Sequence, residues 1–227
     1  MREAKYAGLF YPKEKNVLEE KIRKNLKENI SKKISGKVKA IIVPHAGYDY
    51  SAPIASTAYN LIKEKSKKQK FEKIVLIGPS HQEYFVGALT FEEDWETPLG
   101  IVKIVPAKLK KIVNDFEHSL EVQLPFLQTI LKNFFLIPII YSKILPQELL
   151  KIIPKNDLIV VSSDFSHYLK YTGAVKKDLK TIEYITKLDF ENILKKGDAC
   201  GLIGIATIVL MAKKNNWKPI LLNYRNS

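Results

Sequence analysis

DLIVVSSDFSHY, residues 157 to 168, decides how this chain folds. Ile159, Val160 and Val161 leave no polar position on either side of a pleat, so a strand built from them must be covered on both faces. The run then breaks into Ser162, Ser163, Asp164, Ser166 and His167. A turn needs one or two polar side chains; five in six residues suggest that the strand empties into a site.

Other segments repeat the apolar character: VKAIIV (38–43), KIVLIG (73–78) and FFLIPIIY (134–141), with VGALTF (86–91) and IVKIV (101–105) as further strands. Between them lie helical patterns. Leu18, Ile22, Leu26 and Ile30 are spaced by four in an amphipathic helix over 12–30, with Pro12 near its first turn. A second helix starts at Ser51 and turns Ile54, Ala58, Leu61 and Ile62 inward; Leu120, Leu124, Leu127 and Leu131 mark a third. A short helix follows Pro146, two more cover 173–187 and 200–213, and PILLNY (219–224) completes the alternation. No linker, repeat or low-complexity segment interrupts it. The expectation is one α/β domain over 1–227, with a central, mostly parallel sheet between helices on both faces.

Composition narrows the partners. The formal charge is +13, yet of 37 basic residues only Arg2, Arg23 and Arg225 are arginine. Lysine is a hydrated point charge, whereas arginine reads phosphates and base edges bidentately, so the pattern predicts a solvated lysine surface and no nucleic-acid partner. Such a surface also suits high temperature. The N-terminal residues lack the apolar core of a secretory signal, and the longest weakly polar run, 199–212, is too short to cross a bilayer. A cytoplasmic protein without membrane association is expected. The single cysteine, Cys200, excludes an internal disulfide and leaves the thiol as ligand or nucleophile.

Three of the four histidines follow buried-strand runs: His45 after AIIVP, His81 after IVLIGPS, His167 after IVVSSDFS. Loops after the carboxyl ends of strands form the ligand crevice of an open α/β sheet, so three imidazoles are delivered to one rim. The fourth, His118, opens a helix between Glu117 and Glu121, and Cys200 lies at the start of the helix over 200–213. Taken singly, these residues are ordinary: Cys200 reads as a small buried hydrophobe, Asp164 as a turn cap, Glu117 and Glu121 as solvated charges. Taken together, His45, His81 and Cys200 offer two nitrogens and one thiolate, a borderline-soft set suiting iron(II), copper or zinc. Asp164 and His167, three residues apart, supply an acid/base or orienting pair, and His118 braced by Glu117 does likewise.

The motifs AGLFYP (7–12), VPHAGYDYSAPIASTAY (43–59), IGPSH (77–81), EHSLEVQLPFLQ (117–128), SSDFSHY (162–168) and DACGLIGI (198–205) resemble, in order, those of the MEMO family. That resemblance spans nearly the whole chain. It implies a fold like the LigB-type extradiol dioxygenases and a metal site on His45, His81 and Cys200, with Asp164, His167 and His118 lining the same pocket as its catalytic candidates. Iron or copper is the implied metal ahead of zinc, with a redox-related, dioxygenase-like role. Animal members engage phosphotyrosine peptides, and microbial members are associated with AMMECR-type and radical-SAM proteins. A peptide-binding module, with Tyr48 and Tyr50 contacting the peptide, is therefore the alternative function. A zinc hydrolase using Asp164 or Glu117 as base is a third. Two features depart from the family pattern. Leu202 and Ile203 follow Cys200-Gly201 where many members have an arginine, and the chain ends at NYRNS where relatives continue.

Overall fold

In a computed structural model, residues 1–29, 34–112 and 117–226 are described; Ile30, the last inward position expected of the first helix, lies outside them. The elements in chain order are α1 (Lys15–Glu28), β1 (Ala40–Val43), α2 (Tyr48–Lys65), β2 (Lys73–Pro79), β3 (Ala88–Thr90), β4 (Trp95–Thr97), β5 (Gly100–Ile104), β6 (Lys110–Lys111), α3 (Leu124–Ile130), β7 (Phe135–Tyr141), α4 (Pro146–Ile152), β8 (Leu158–Ser162), α5 (Tyr171–Thr186), α6 (Phe190–Lys196) and α7 (Leu202–Asn215).

The sheet order is β1-β8-β2-β7-β3-β6. β1, β8, β2 and β7 are mutually parallel, and β8 is held between β1 and β2 in the register Ile41↔Val160 and Leu76↔Val160. β3 joins antiparallel to the carboxyl-terminal half of β7, while β5 joins parallel at its other end and carries β4 as a hairpin. The sheet is mixed only beyond β7, where the apolar runs shorten.

Burial on both faces explains the continuous apolar runs. Leu158 and Val160, with Ile74 and Leu76, point into a core shared with α1, α2 and α3. Ile159 and Val161, with Val75 and Ile77, point into a second core shared with α4 and α7. Alternate residues of one strand thus feed two cores, as a sheet with helices on both faces demands. Leu18, Ile22 and Leu26 are the buried stripe of α1.

The structure corrects several expectations. α1 starts at Lys15, three residues after Pro12, and α2 starts at Tyr48 rather than Ser51. Residues 219–224 form no strand. Instead Asn223 Nδ2 donates to Thr57 Oγ1 at 3.1 Å and Tyr224 Oη to Asp178 Oδ2 at 2.8 Å, tying the segment across the helices. β4 and β6 are too short to leave a period in the sequence. After α5, Leu188 turns left-handed at φ 55° and Asp189 accepts from the Asn192 amide, which starts α6 as a separate helix. Among the described residues, no helix is long and apolar enough to cross a membrane.

Candidate metal centre

The loops after β1, β2 and β8 deliver His45, His81 and Asp164 to the carboxyl edge of the sheet. The turns before α3 and α7 add His118 and Cys200. The His45 ring lies 5.1 Å from His81 and 5.3 Å from His118 between centroids, and His81 lies 4.9 Å from His118. One ring nitrogen from each of His45, His81 and His118 falls within 4.8 Å of the others. Cys200 Sγ is 3.2 Å from His45 Nε2.

Hydrogen bonding fixes which nitrogen of the His45 and His81 rings faces the pocket. Ser162 Oγ donates its one proton to the Ser119 carbonyl and accepts from Gln123 Nε2 at 2.8 Å. It can therefore only accept from His45 Nδ1, 3.0 Å away, which puts the proton on Nδ1 and turns Nε2 toward the sulfur. At His81 the fixed acceptor is a carboxylate: Glu117 Oε1 receives Nδ1 at 2.9 Å while Oε2 receives the His81 amide. The same Oε1 accepts from the Ser119 amide at 2.9 Å and lies 3.3 Å from His118 Nδ1. Glu117 is 2 % exposed, so the expectation of a solvated charge is corrected: the carboxylate is buried because it has cationic and amide partners.

Glu121, likewise expected to be solvated, is fully buried. It pairs with Arg2 Nη1 and accepts from the Tyr6 amide at 2.8 Å and Tyr11 Oη at 2.7 Å. Arg2 also stacks 4.2 Å over the Trp95 ring. This pins the N-terminal segment behind the site, where Phe10 lies 4.4 Å from the His118 ring. Nothing in the spacing of Arg2 and Glu121, 119 residues apart, announces the pair.

Four of the five polar side chains after β8 now have an assignment, while Ser166 Oγ is buried without a hydrogen-bond partner. Ser162 orients His45. Ser163 Oγ accepts from the Gly201 amide at 2.9 Å and sits beside Cys200 Sγ at 3.7 Å. A Cβ on Gly201 would come within 2.6 Å of Ser163 Cβ, so this approach requires glycine. Asp164 Oδ1 accepts from the His45 amide at 2.8 Å, capping the loop after β1 rather than its own strand. Its amide donates to Cys200 Sγ at 3.2 Å and its carbonyl accepts from the Cys200 amide at 3.1 Å. Asp164 Oδ2 stands 3.9 Å from His45 Nε2 and 4.0 Å from His167 Nε2. His167 is part-exposed at the rim and stands outside the three-ring cluster. Tyr48 is buried with its hydroxyl donating to the Val122 carbonyl, so of the two tyrosines expected to contact a peptide only Tyr50 is exposed. Cys200 precedes α7, whose first helical residue is Leu202, and so lies just outside the helix expected to begin with it.

The electrostatics follow from these contacts. Burial opposes a charge on Cys200, but the hydrogen bonds from His45 and His81 outweigh it and bring the thiol down to about 6. Burial likewise opposes charge on His81, yet Cys200 and Glu117 raise it to about 10. His45 is raised as well, burial being overcome by Cys200 and then Asp164. Glu117, despite burial, is held at about 2 by the His81 side chain and amide. His118 goes the other way: burial, reinforced by the charges of His45 and His81, lowers it to about 4 against the pull of Glu117. At neutral pH these shifts favour a thiolate on Cys200 paired with an imidazolium on His81, with His118 neutral beside them.

A parallel α/β sheet with imidazoles, a thiolate and carboxylates converging past its strand ends is the architecture of a candidate metal-binding pocket protein. The chain belongs to the MEMO family: the Memo-like protein family matches residues 2–227. It is 33 % identical to a MEMO1 family protein of Caldivirga maquilingensis, covering 94 % of this chain and 87 % of that one. Relatives of the same description from Nitrosopumilus maritimus and Aquifex aeolicus are 33 % and 35 % identical over the whole of this chain, covering 93 % and 92 % of theirs.

Proposed function

We propose that this protein binds a redox-active transition metal, iron or copper, through His45, His81 and Cys200, and that its role is redox-related. The observation that carries the reading is the approach of Cys200 Sγ to 3.2 Å from His45 Nε2 within a cluster of pocket-facing imidazoles. Two Nε2 donors and a thiolate form a borderline-soft set that favours iron(II) or copper, with zinc behind them. The bound metal would supply Lewis acidity or one-electron chemistry. The chain's own groups do the rest: Ser162 and Glu117 hold the rings, while Asp164 and His167 can hold or pass a proton at the open side. Metal analysis after purification without chelators tests this. About one iron or copper per chain is expected, lost in His45→Ala. A folded wild-type protein that takes up neither metal, or equal uptake by the variant, refutes it.

A second reading is supported by exposed aromatics at the rim. Tyr50, Tyr84 and Tyr168 lie on segments that follow β1, β2 and β8 and are largely solvent-exposed, the position of a peptide-contacting surface. Calorimetry with acidic and phosphotyrosyl peptides decides it; heat with the peptides but no metal uptake makes the pocket a binding module.

A further inference from the structure

We propose, resting on the metal reading above, that His118 is itself a ligand, so that the ion can sit on a three-nitrogen face of His45, His81 and His118 as well as on the sulfur. The His81 and His118 rings are near-parallel, 28° apart with centroids at 4.9 Å, and both present Nδ1 to the same Glu117 oxygen, at 2.9 and 3.3 Å. Two near-parallel imidazoles whose Nδ1 atoms both stand against one carboxylate oxygen turn their Nε2 edges to one common side. Ser162 imposes the same orientation on His45 from across the pocket, with its ring at 89° to His118. Candidate ligand atoms from the three rings lie within 4.8 Å of one another. Tetrahedral ligands at about 2.1 Å from one ion stand roughly 3.4 Å apart, so the rings need draw in by only about 1 Å.

The position of His118 suits a ligand better than a mobile proton carrier. Phe10 packs on its free face at 4.4 Å and Tyr6 on its edge at 5.7 Å, both on the segment held by Arg2 and Glu121. A ring clamped between Phe10, His81 and Glu117 can slide toward an ion but cannot swing out to solvent. His118 and Cys200 arrive from different turns, before α3 and before α7, and share only the His45/His81 pair. The consequence is two overlapping donor sets, one with sulfur and one without, suited to a softer and a harder ion or oxidation state.

The chain has four histidines, which makes the test direct. Long-range proton–nitrogen spectra of histidine-labelled protein, recorded with and without zinc as a diamagnetic probe, report each ring nitrogen. Single His→Gln variants assign the resonances. The Nε2 signals of His45, His81 and His118 should move to metal-bound positions, with His167 as the unmoved reference, and the same three should move in Cys200→Ser. A response from His45 and His81 alone overturns the role of His118 and leaves the metal reading standing. No response from any ring overturns both.

Discussion

Glu117→Gln in the metal-free protein removes one buried charge and keeps the side chain's shape. Burial disfavours the carboxylate, but the His81 ring, the His81 amide and the Ser119 amide more than offset this and hold it at about 2 instead of 4.5. About two and a half pH units at ~1.4 kcal/mol each come to ~3.5 kcal/mol of folding stability. Because the folded pKa lies below the unfolded one, this contribution is complete above pH 4.5 and disappears as the pH falls through about 2. The glutamine oxygen still accepts one hydrogen bond, so urea unfolding at pH 7 should find the variant weaker by about 2–3 kcal/mol. The corresponding drop in Tm is roughly 4–12 °C for a chain of this size. The gap should narrow below pH 4 as the wild-type carboxyl takes up its proton. A variant within about 0.5 kcal/mol of wild type at pH 7 would behave like a surface substitution, and the picture of a carboxylate organising two histidines would be wrong. A full-sized gap that ignores pH would instead assign the cost to packing.

Other perturbations bear on separate parts of the site. In the metal-free protein Cys200 should be alkylated by iodoacetamide with a midpoint near pH 6, and in His81→Ala the midpoint should rise toward the ordinary thiol value; an unshifted wild-type profile contradicts the thiolate–imidazolium pair. Arg2→Ala strands the buried Glu121 carboxylate and should cost ~3–5 kcal/mol in urea unfolding, with part recovered in Arg2→Met combined with Glu121→Leu; a cost below about 1 kcal/mol refutes a structural ion pair. Gly201→Ala drives a methyl to 2.6 Å from Ser163 Cβ and should destabilise by ~1–3 kcal/mol while raising the Cys200 alkylation midpoint, since Ser163 and Cys200 must part; unchanged values show that the turn has slack. His118, lowered to about 4 from 6.5, is a neutral group that the unfolded chain protonates first, so stability should fall as the pH drops between those values, and His118→Gln should flatten that limb of the urea curve.

What the sequence disclosed depended on range. Leu158 to Val161 are apolar at every position because both faces of β8 are covered, a local signal readable without neighbours. The convergence of His45 and His81 was also legible, since parallel strands must end on the same side, whereas His167, expected with them, stands exposed at the rim outside the cluster. Glu117 and Glu121 were not. A glutamate on a helical segment is solvated by default, and only the distant partners His81 and Arg2 reverse that default. Tyr48 failed for the same reason: HAGYDY resembles a surface loop until its amide is seen donating to the Phe10 carbonyl and its hydroxyl to Val122, which seat it in the core. The strand expected at 219–224 had the right composition, but Asn223 and Tyr224 are engaged by Thr57 and Asp178 on the helices, partners that lie far away in the sequence.

The long-range contacts also explain how so polar a pocket is stable within the fold. A buried thiol and two buried imidazoles would each resist ionising alone, yet a proton passed from Cys200 to His81 makes opposite charges in contact, and Glu117 on the far side of the ring stabilises the cation. Between about pH 6.5 and 9 that transfer is internal: the sulfur has lost what the imidazole has gained relative to their ordinary values of 9.0 and 6.5, so folding takes up little net proton there. If a metal were held by His81 Nε2 and Cys200, the ring would have to give up its Nε2 proton, whereas the thiol is already lowered toward ionisation. Glu117, which accepts from His81 Nδ1 at 2.9 Å, would orient and polarise the ring in the same way if Nε2 held a metal. A pocket arranged in this way is preorganised, which would limit the side-chain ordering that binding a ligand costs.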